Sequence, residues 1–349
     1  MNTIQDTIRA INEGQVLNAV HTESLFDAVF QGGVSEIELS AILASMKIRK
    51  ETPEEIIGAA RSMRKFAERL DIENHGGIDT CGTGGDYSHS FNISTAVALV
   101  LAAAGIPVTK HGNRSVSSRS GSADFLESLG VPIGLTGDEA VRYFREHRFV
   151  FMFAPNYHPA MKHAGPVRKA LGVRTIFNFL GPVTNPAMPK RQMIGVFSPD
   201  FLPLYSQVVA GLGYERVLLY SAEGGMDEVS PVNPTMVYEV AEGNVRFYTI
   251  LPEKYLKKGD AGKIPENLSA DENAELFIET ISSREPTPLG RLLALNTALA
   301  MYLAGEDRDF NTSFGGYFSQ ALEIIHSGEV LTTLERLRSE NEGQTRSAS

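Results

Sequence analysis

Ile78-Asp79-Thr80-Cys81-Gly82-Thr83-Gly84-Gly85-Asp86, followed by Asn92-Ile93-Ser94-Thr95, is the stretch on which the fold turns. Ile78 to Cys81 reads as a short strand, and the Ala/Val/Leu run from Thr95 to Ala104 reads as a helix. Glycines in the loop between them let the backbone take positive φ and let a ligand approach the main chain. A helix N-terminus adds unpaired N–H groups and the positive end of a dipole, which suit a phosphate. Ser94 and Thr95 contribute hydroxyl donors. Taken alone, a glycine loop favours an ordinary βα turn capped by Ser94 or Thr95. The spacing is not that of a dinucleotide-binding fingerprint, and the loop lacks the Gly-Lys-Ser/Thr of a P-loop.

The next stretch shifts the balance. Pro107 to Lys110 reads as a strand, and Lys110-His111-Gly112-Asn113-Arg114-Ser115-Val116-Ser117-Ser118-Arg119-Ser120-Gly121-Ser122 follows at its C-terminal end. Ligands of open α/β sheets bind at that edge. Lys supplies a point charge, Arg a planar fork and Ser neutral donors, the set a diphosphate needs. Asp124 then opens a helix over Phe125 to Leu129. Strand–helix–strand–helix order predicts an α/β layer with parallel strands. Phe149 to Ala154 and Arg216 to Ser221 are further strand candidates. Met236 to Val240 and Val245 to Ile250 form a hairpin through Glu242-Gly243-Asn244, and Leu289 to Leu303 is a long apolar helix.

Upstream of Gly76-Gly77 the pattern is helical. Ser35 with Glu38 is a capping-box pair ahead of Leu39, Ile42, Leu43 and Met46. Thr52-Pro53 with Glu55 starts another helix carrying Ile56, Ile57, Ala60 and Met63.

Two further elements carry chemistry. Asp227-Glu228 lies just beyond the strand Arg216 to Ser221, and Mg²⁺ is usually held by one or two carboxylates together with substrate phosphates and water. Alone, such a pair is a solvated turn. Tyr157-His158-Pro159-Ala160-Met161-Lys162-His163-Ala164-Gly165-Pro166-Val167-Arg168 offers Arg168 for two-pronged carboxylate binding, and His158 with His111 could flank a ring. No zinc-ligand spacing occurs there. Cys81 reads as a small buried residue rather than a nucleophile.

The 349 residues suggest two domains, or one large domain with a small helical one. The net charge of -10 argues against nucleic acid or an anionic membrane as the main partner. One cysteine fits a reducing compartment, and the run Ala96 to Val108 is too short to span a bilayer, so the chain reads as cytoplasmic. Ser339 to Ser349 is a polar tail.

With these elements in this order, the chain resembles the anthranilate phosphoribosyltransferase family of tryptophan biosynthesis. The resemblance rests on Gly82 to Asp86, Asn92 to Thr95, Lys110 to Asn113 with its Ser-rich continuation, Tyr157 to Met161, Thr175-Ile176-Phe177-Asn178 and Asp227-Glu228. It implies a small all-helical N-terminal domain plus a large α/β domain with a central, mostly parallel sheet, similar to the pyrimidine nucleoside phosphorylases. Residues 1–72 with a returning segment at about 168–189 would form the helical domain and carry a homodimer contact. Residues 73–167 and 190–338 would form the α/β domain. Phosphoribosyl pyrophosphate would be held by Gly82, Gly85, Asp86, Ser90, Asn92, Ile93, Ser94, Thr95, Lys110, His111, Gly112, Asn113, Arg114, Ser115, Val116, Ser117, Ser118 and Ser122. Anthranilate would meet Gly82, His111, Asn113, His158, Arg168 and Pro182; Mg²⁺, as two ions, would meet Ser94, Asp227 and Glu228. No general base is assigned; His111 is the nearest candidate to assist proton loss, and anthranilate synthase is a candidate contact. Tyr87 departs from the glycine common in the family, and Ser90 replaces a frequent threonine. The competing readings are a nucleoside phosphorylase of the same fold and a non-catalytic, nucleic-acid-binding relative.

Overall fold

A computed structural model describes residues 4–72, 77–84, 91–115 and 119–347, with side chains of the last helix to 338. Gly85, Asp86, Tyr87, Ser90, Val116, Ser117 and Ser118 therefore lie outside the described residues.

The chain begins with four helices: α1 (Ile4–Asn12), α2 (Ala19–Phe30), α3 (Glu36–Arg49) and α4 (Pro53–Lys65). The Ser35/Glu38 and Thr52/Glu55 pairs both close reciprocal capping boxes, with Pro53 in the first turn of α4. Close packing of α2 on α4 depends on Gly58. A Cβ there would sit 2.3 Å from the Ala19 carbonyl oxygen and 2.7 Å from Thr22 Cβ. Gly58→Ala is expected to destabilise the protein by about 2–3 kcal/mol through overpacking, read as a lower urea midpoint at unchanged m-value.

The α/β unit follows in the order β1 (Ile78–Gly82), α5 (Ile93–Ala103), β2 (Val108–Gly112), α6 (Ser122–Ser128), α7 (Gly137–His147), β3 (Phe149–Phe153), α8 (Ala154–Tyr157), α9 (Gly165–Leu171) and α10 (Phe177–Leu180). Then come β4 (Arg191–Gly195), α11 (Leu202–Gly211), β5 (Arg216–Ala222), β6 (Thr235–Ala241), β7 (Asn244–Ile250), α12 (Ala270–Ser282), α13 (Pro288–Ala304), α14 (Phe310–Ser327) and α15 (Glu329–Ser347). The strands form one seven-stranded sheet in the order β3-β2-β1-β4-β5-β6-β7. β3, β2, β1, β4 and β5 are parallel, and β6 and β7 pair antiparallel at one edge. The expected fold class is thus observed.

Successive strand residues feed opposite faces, as the period of two requires. Val217 and Leu219 join a core with Phe26, Phe30, Ile42 and Phe177. Leu218 and Tyr220 join the other core with Leu99, Leu293 and Leu334. The sheet is a middle layer between the N-terminal helices with α9–α11 and a bundle of α5 with α12–α15. Phe177 packs against Phe26 and Phe30 at centroid distances of 5.7 and 6.3 Å.

Two expectations need correction, and one strand is additional to those expected. Asp124 does not open α6; it is the third helical residue, and its carboxylate accepts from Gly121 N at 2.9 Å. β4 went unread, because Arg191 and Gln192 interrupt the apolar pattern at its start. The polar tail is not set apart, since α15 runs to Ser347. Its anchor is the buried row Val330, Leu334 and Leu337, and the Glu, Arg and Gln that follow are good helix formers.

Candidate active site

Strand order reverses between β1 and β4, which opens a crevice beyond their C-terminal ends. Gly82 and Gly195 are register partners at those ends. Both must be glycine because the 227 loop lies against them. A Cβ on Gly82 would stand 2.4 Å from Asp227 Oδ2, and one on Gly195 would stand 1.7 Å from the Asp227 carbonyl oxygen. Asp227 Oδ2 accepts from Gly84 N at 2.8 Å, so the carboxylate is tied to the glycine loop. Glu228, its neighbour, is buried.

β2 delivers Lys110 to the same edge. Its side chain is only 1% exposed. Nζ donates to the Thr80 carbonyl and to Ser94 Oγ at 3.4 Å, while Thr80 Oγ1 donates to the Ser94 carbonyl at 2.9 Å. Burial lowers the Lys110 pKa, and Asp79 pulls the other way. Asp79 is itself raised to about 6, chiefly by burial.

At the start of α5, Asn92 makes no cap hydrogen bond; its amide faces Ser120 instead, accepting from Ser120 Oγ at 2.7 Å. Ser94 and Thr95 therefore sit inside the first turn and are not the cap. Gly112 lies so close to Ser122 that a Cβ would be 2.2 Å from Ser122 Oγ. Asn113 N donates to that hydroxyl at 3.2 Å, which folds the loop back on α6. Arg114 is turned away from the crevice. It pairs with Asp124 at 2.7 Å and with Glu127 at 2.7 and 3.0 Å, and Ser115 N donates to Asp124 at 3.1 Å.

His111 and His158 meet edge to face, with centroids 5.1 Å apart. They are 8% and 5% exposed, and Nε2 of each is buried with no hydrogen-bond partner. Burial, first of all, pushes His111 down to about 3 and His158 to about 4, so both rings are neutral at pH 7. Arg168 stacks over Phe177 at 5.2 Å, and desolvation lowers its pKa. Among the described residues its guanidinium has no hydrogen bond and no counter-charge.

The two histidines carry a pH signature. An unfolded histidine titrates near 6.5 and these rings titrate below it, so their stability contribution is complete above about pH 6.5 and is lost as pH falls. The expected loss between about pH 7 and pH 4 is on the order of 3 kcal/mol per ring. Asp79 acts in the opposite sense, its share being lost as pH rises through about 6. Urea unfolding of wild type and His111→Asn across this range isolates one ring; the variant should have the flatter acid limb.

The chain matches two family models: "Glycosyl transferase family, helical bundle domain" over residues 5–67 and "Glycosyl transferase family, a/b domain" over residues 74–331. It is 39% identical over 332 residues to anthranilate phosphoribosyltransferase of Halorhodospira halophila, covering 94% of this chain and 95% of that protein. The chain belongs to the anthranilate phosphoribosyltransferase family. The enzyme of Chloroherpeton thalassium is 40% identical, covering 96% and 97%. The crystal structure of the Thermus thermophilus enzyme superposes with a TM-score of 0.88 at 37% identity, covering 97% and 99%. The Saccharomyces cerevisiae enzyme in complex with PRPP and Mg shares the fold, with a TM-score of 0.86 at 24% identity over 97% and 98%. These likenesses favour neither the nucleoside phosphorylase nor the nucleic-acid-binding reading.

Within this family member, Gly82, Ser94, Lys110 and Asp227 converge at one sheet edge, and His111 with His158 form a second cluster. Sequence reasoning missed Asp79, Gln192 and Gly195. A charged residue inside the short strand Ile78 to Gly82 was the signal for Asp79. Among the described residues no three His, Cys, Asp or Glu side chains form a metal cluster. Asp227, Glu228 and the Ser94 hydroxyl nevertheless suit Mg²⁺, which prefers hard oxygen donors and takes its remaining ligands from phosphate and water.

Proposed function

We propose that this family member transfers the phosphoribosyl group of 5-phosphoribosyl 1-pyrophosphate to the amine of anthranilate, giving N-(5-phosphoribosyl)anthranilate and pyrophosphate. The observation that carries this reading is the meeting of the glycine loop, buried Lys110 and Asp227 at the crevice between β1 and β4. The donor is assigned to that edge, held by Gly82, Asn92, Ser94, Lys110, His111, Gly112, Asn113 and Ser122, whereas Arg114 is engaged by Asp124 and Glu127 instead. Residues 1–72, with a returning segment at about 168–189, are assigned to a helical domain that carries a homodimer contact, and the chain is assigned to the cytoplasm.

Asp227, Glu228 and Ser94 would hold Mg²⁺. When bound, the metal supplies positive charge against the departing pyrophosphate. The C–O bond from the anomeric carbon to pyrophosphate breaks, and a C–N bond to the anthranilate amine forms. Lys110 adds positive charge on the donor side. Arg168 holds the anthranilate carboxylate as a two-pronged partner and aims the amine. The amine becomes strongly acidic as it attacks, so a weak base is enough to receive its proton. No general base is assigned; His111, whose ring is neutral at pH 7, is the nearest candidate to assist the loss of that proton.

Purified protein mixed with donor, Mg²⁺ and anthranilate should show a fall in anthranilate fluorescence that requires all three. No fall from folded protein would overturn the reading.

A further inference from the structure

Between β2 and α6 the chain doubles back through a narrow neck. A Cβ on Gly121 would stand 2.3 Å from Ser115 N and 2.8 Å from the Asn113 carbonyl oxygen, so only a glycine lets the two limbs touch. One carboxylate ties the neck from the α6 side. Asp124 Oδ2 accepts from Ser115 N at 3.1 Å on the outgoing limb and from Gly121 N at 2.9 Å on the returning one. Its other oxygen, Oδ1, accepts from Arg114 Nη1 at 2.7 Å. Glu127, one turn further along α6, takes the same guanidinium at 2.7 and 3.0 Å. Arg114 and Glu127 are exposed side chains, so their pair contributes little by itself. The bonds from the Asp124 carboxylate to backbone N–H are charge-assisted and are the stronger tie.

The neck sets the side chains assigned to the donor. Ser122 Oγ accepts from Asn113 N at 3.2 Å and donates to the Asn113 carbonyl at 3.1 Å. Arg114 N donates to Asn113 Oδ1 at 2.7 Å, which orients that amide and leaves its NH₂ to donate. On the returning limb Ser120, next to Gly121, holds Asn92 at the start of α5. Its Oγ donates to Asn92 Oδ1 at 2.7 Å, and its carbonyl accepts from Asn92 Nδ2 at 3.3 Å. Asn92, Asn113 and Ser122 are thus all placed by limbs that meet at Asp124. A carboxylate repels phosphate, so Asp124 does not serve the donor by touching it. Arg114 offsets that negative charge.

We propose that Asp124 is a positioning residue of the donor site: by holding Ser115 N and Gly121 N on one oxygen it keeps the neck closed before the donor arrives, so that Asn92, Asn113 and Ser122 are placed in advance. Arg114 serves by holding and neutralising Asp124, not by meeting the donor. This rests on the reading of that edge as the phosphoribosyl pyrophosphate site. Without the tie, the donor must order both limbs as it binds, and the cost falls on affinity. Once it is bound the geometry is the same, so the chemical step keeps its rate.

The test uses the full-length protein, with calorimetric titration of phosphoribosyl pyrophosphate and Mg²⁺ beside steady-state kinetics. Asp124→Ala should weaken donor binding and raise donor KM about tenfold, with kcat at saturating substrates within about twofold of wild type. Asp124→Asn, whose one oxygen can still take both N–H groups, should recover most of the loss. Gly121→Ala forces the limbs apart from the other side and should behave like Asp124→Ala. Hydrogen–deuterium exchange of the peptide spanning 113–122 should be faster in both alanine variants without donor, and should return to the wild-type rate at saturating donor. Thermal unfolding identifies a variant that fails to fold, and the other then decides. Unchanged donor affinity in the folded variants, or a fall in kcat with donor affinity unchanged, would overturn the proposal. So would tighter donor binding by Glu127→Gln, since a released Arg114 would then be acting as a donor ligand. Wild type that binds no donor would overturn the functional reading and the proposal with it; wild type and Asp124→Ala binding the donor equally well would overturn the proposal alone.

Discussion

Asp227→Asn is expected to lower kcat/KM by about 10²- to 10³-fold, some 3–4 kcal/mol of transition-state stabilisation, while leaving the fold intact. The substitution keeps the side-chain volume, which matters because Gly82 and Gly195 leave no slack around this residue. It also keeps an oxygen that can accept from Gly84 N, as Oδ2 does now at 2.8 Å. What it removes is the negative charge. A neutral amide is a poor Mg²⁺ ligand, so the Mg²⁺ concentration for half-maximal rate should rise together with the loss of rate. Initial rates across a Mg²⁺ titration check this. A rate within about threefold of wild type at every Mg²⁺ concentration would remove Asp227 from the chemistry and leave it as a clamp on the glycine loop.

Such a test depends on a site whose parts were unequally visible in the sequence. The glycine loop, the Lys110 strand and the Asp227-Glu228 pair each stand at a strand end, where period and punctuation are local signals, and the structure brings them to one edge. The hairpin of β6 and β7 was legible for the same reason. β4 was not. Only Met193 and Ile194 form its apolar centre, and the buried Gln192 beside them looks like a surface residue until its partners are known. Arg114 shows the converse. Its place in a cationic, Ser-rich loop suggested an anion, but Asp124 and Glu127 lie one turn apart on α6 and both take its guanidinium. Their spacing was readable; that the loop folds back to meet them was not, because it depends on the close approach of Gly112 to Ser122. The role of Gln192 was beyond reach from sequence, since its amide ties together the Pro182 carbonyl and the far-off Asp79 carboxylate.

Arg168→Ala should raise KM for anthranilate by about 10- to 100-fold, the scale of losing a charge-assisted pair of hydrogen bonds. KM for the donor should stay within about twofold of wild type. The structural reason is that this guanidinium is desolvated and rests on Phe177 with no counter-charge among the described residues. A partly buried cation without a partner costs stability, and a carboxylate brought by the substrate would relieve that cost. Two consequences follow from the same fact. The alanine variant should be at least as stable as wild type without substrate, and it should lose the stabilisation that anthranilate confers on wild type. Arg168→Lys should recover only part of the affinity, because a single ammonium cannot match the planar fork. Steady-state kinetics with each substrate varied in turn, beside thermal unfolding with and without anthranilate, separates the outcomes. Equal rises in both KM values would mean that Arg168 supports the crevice as a whole, and the acceptor's carboxylate would then need another partner.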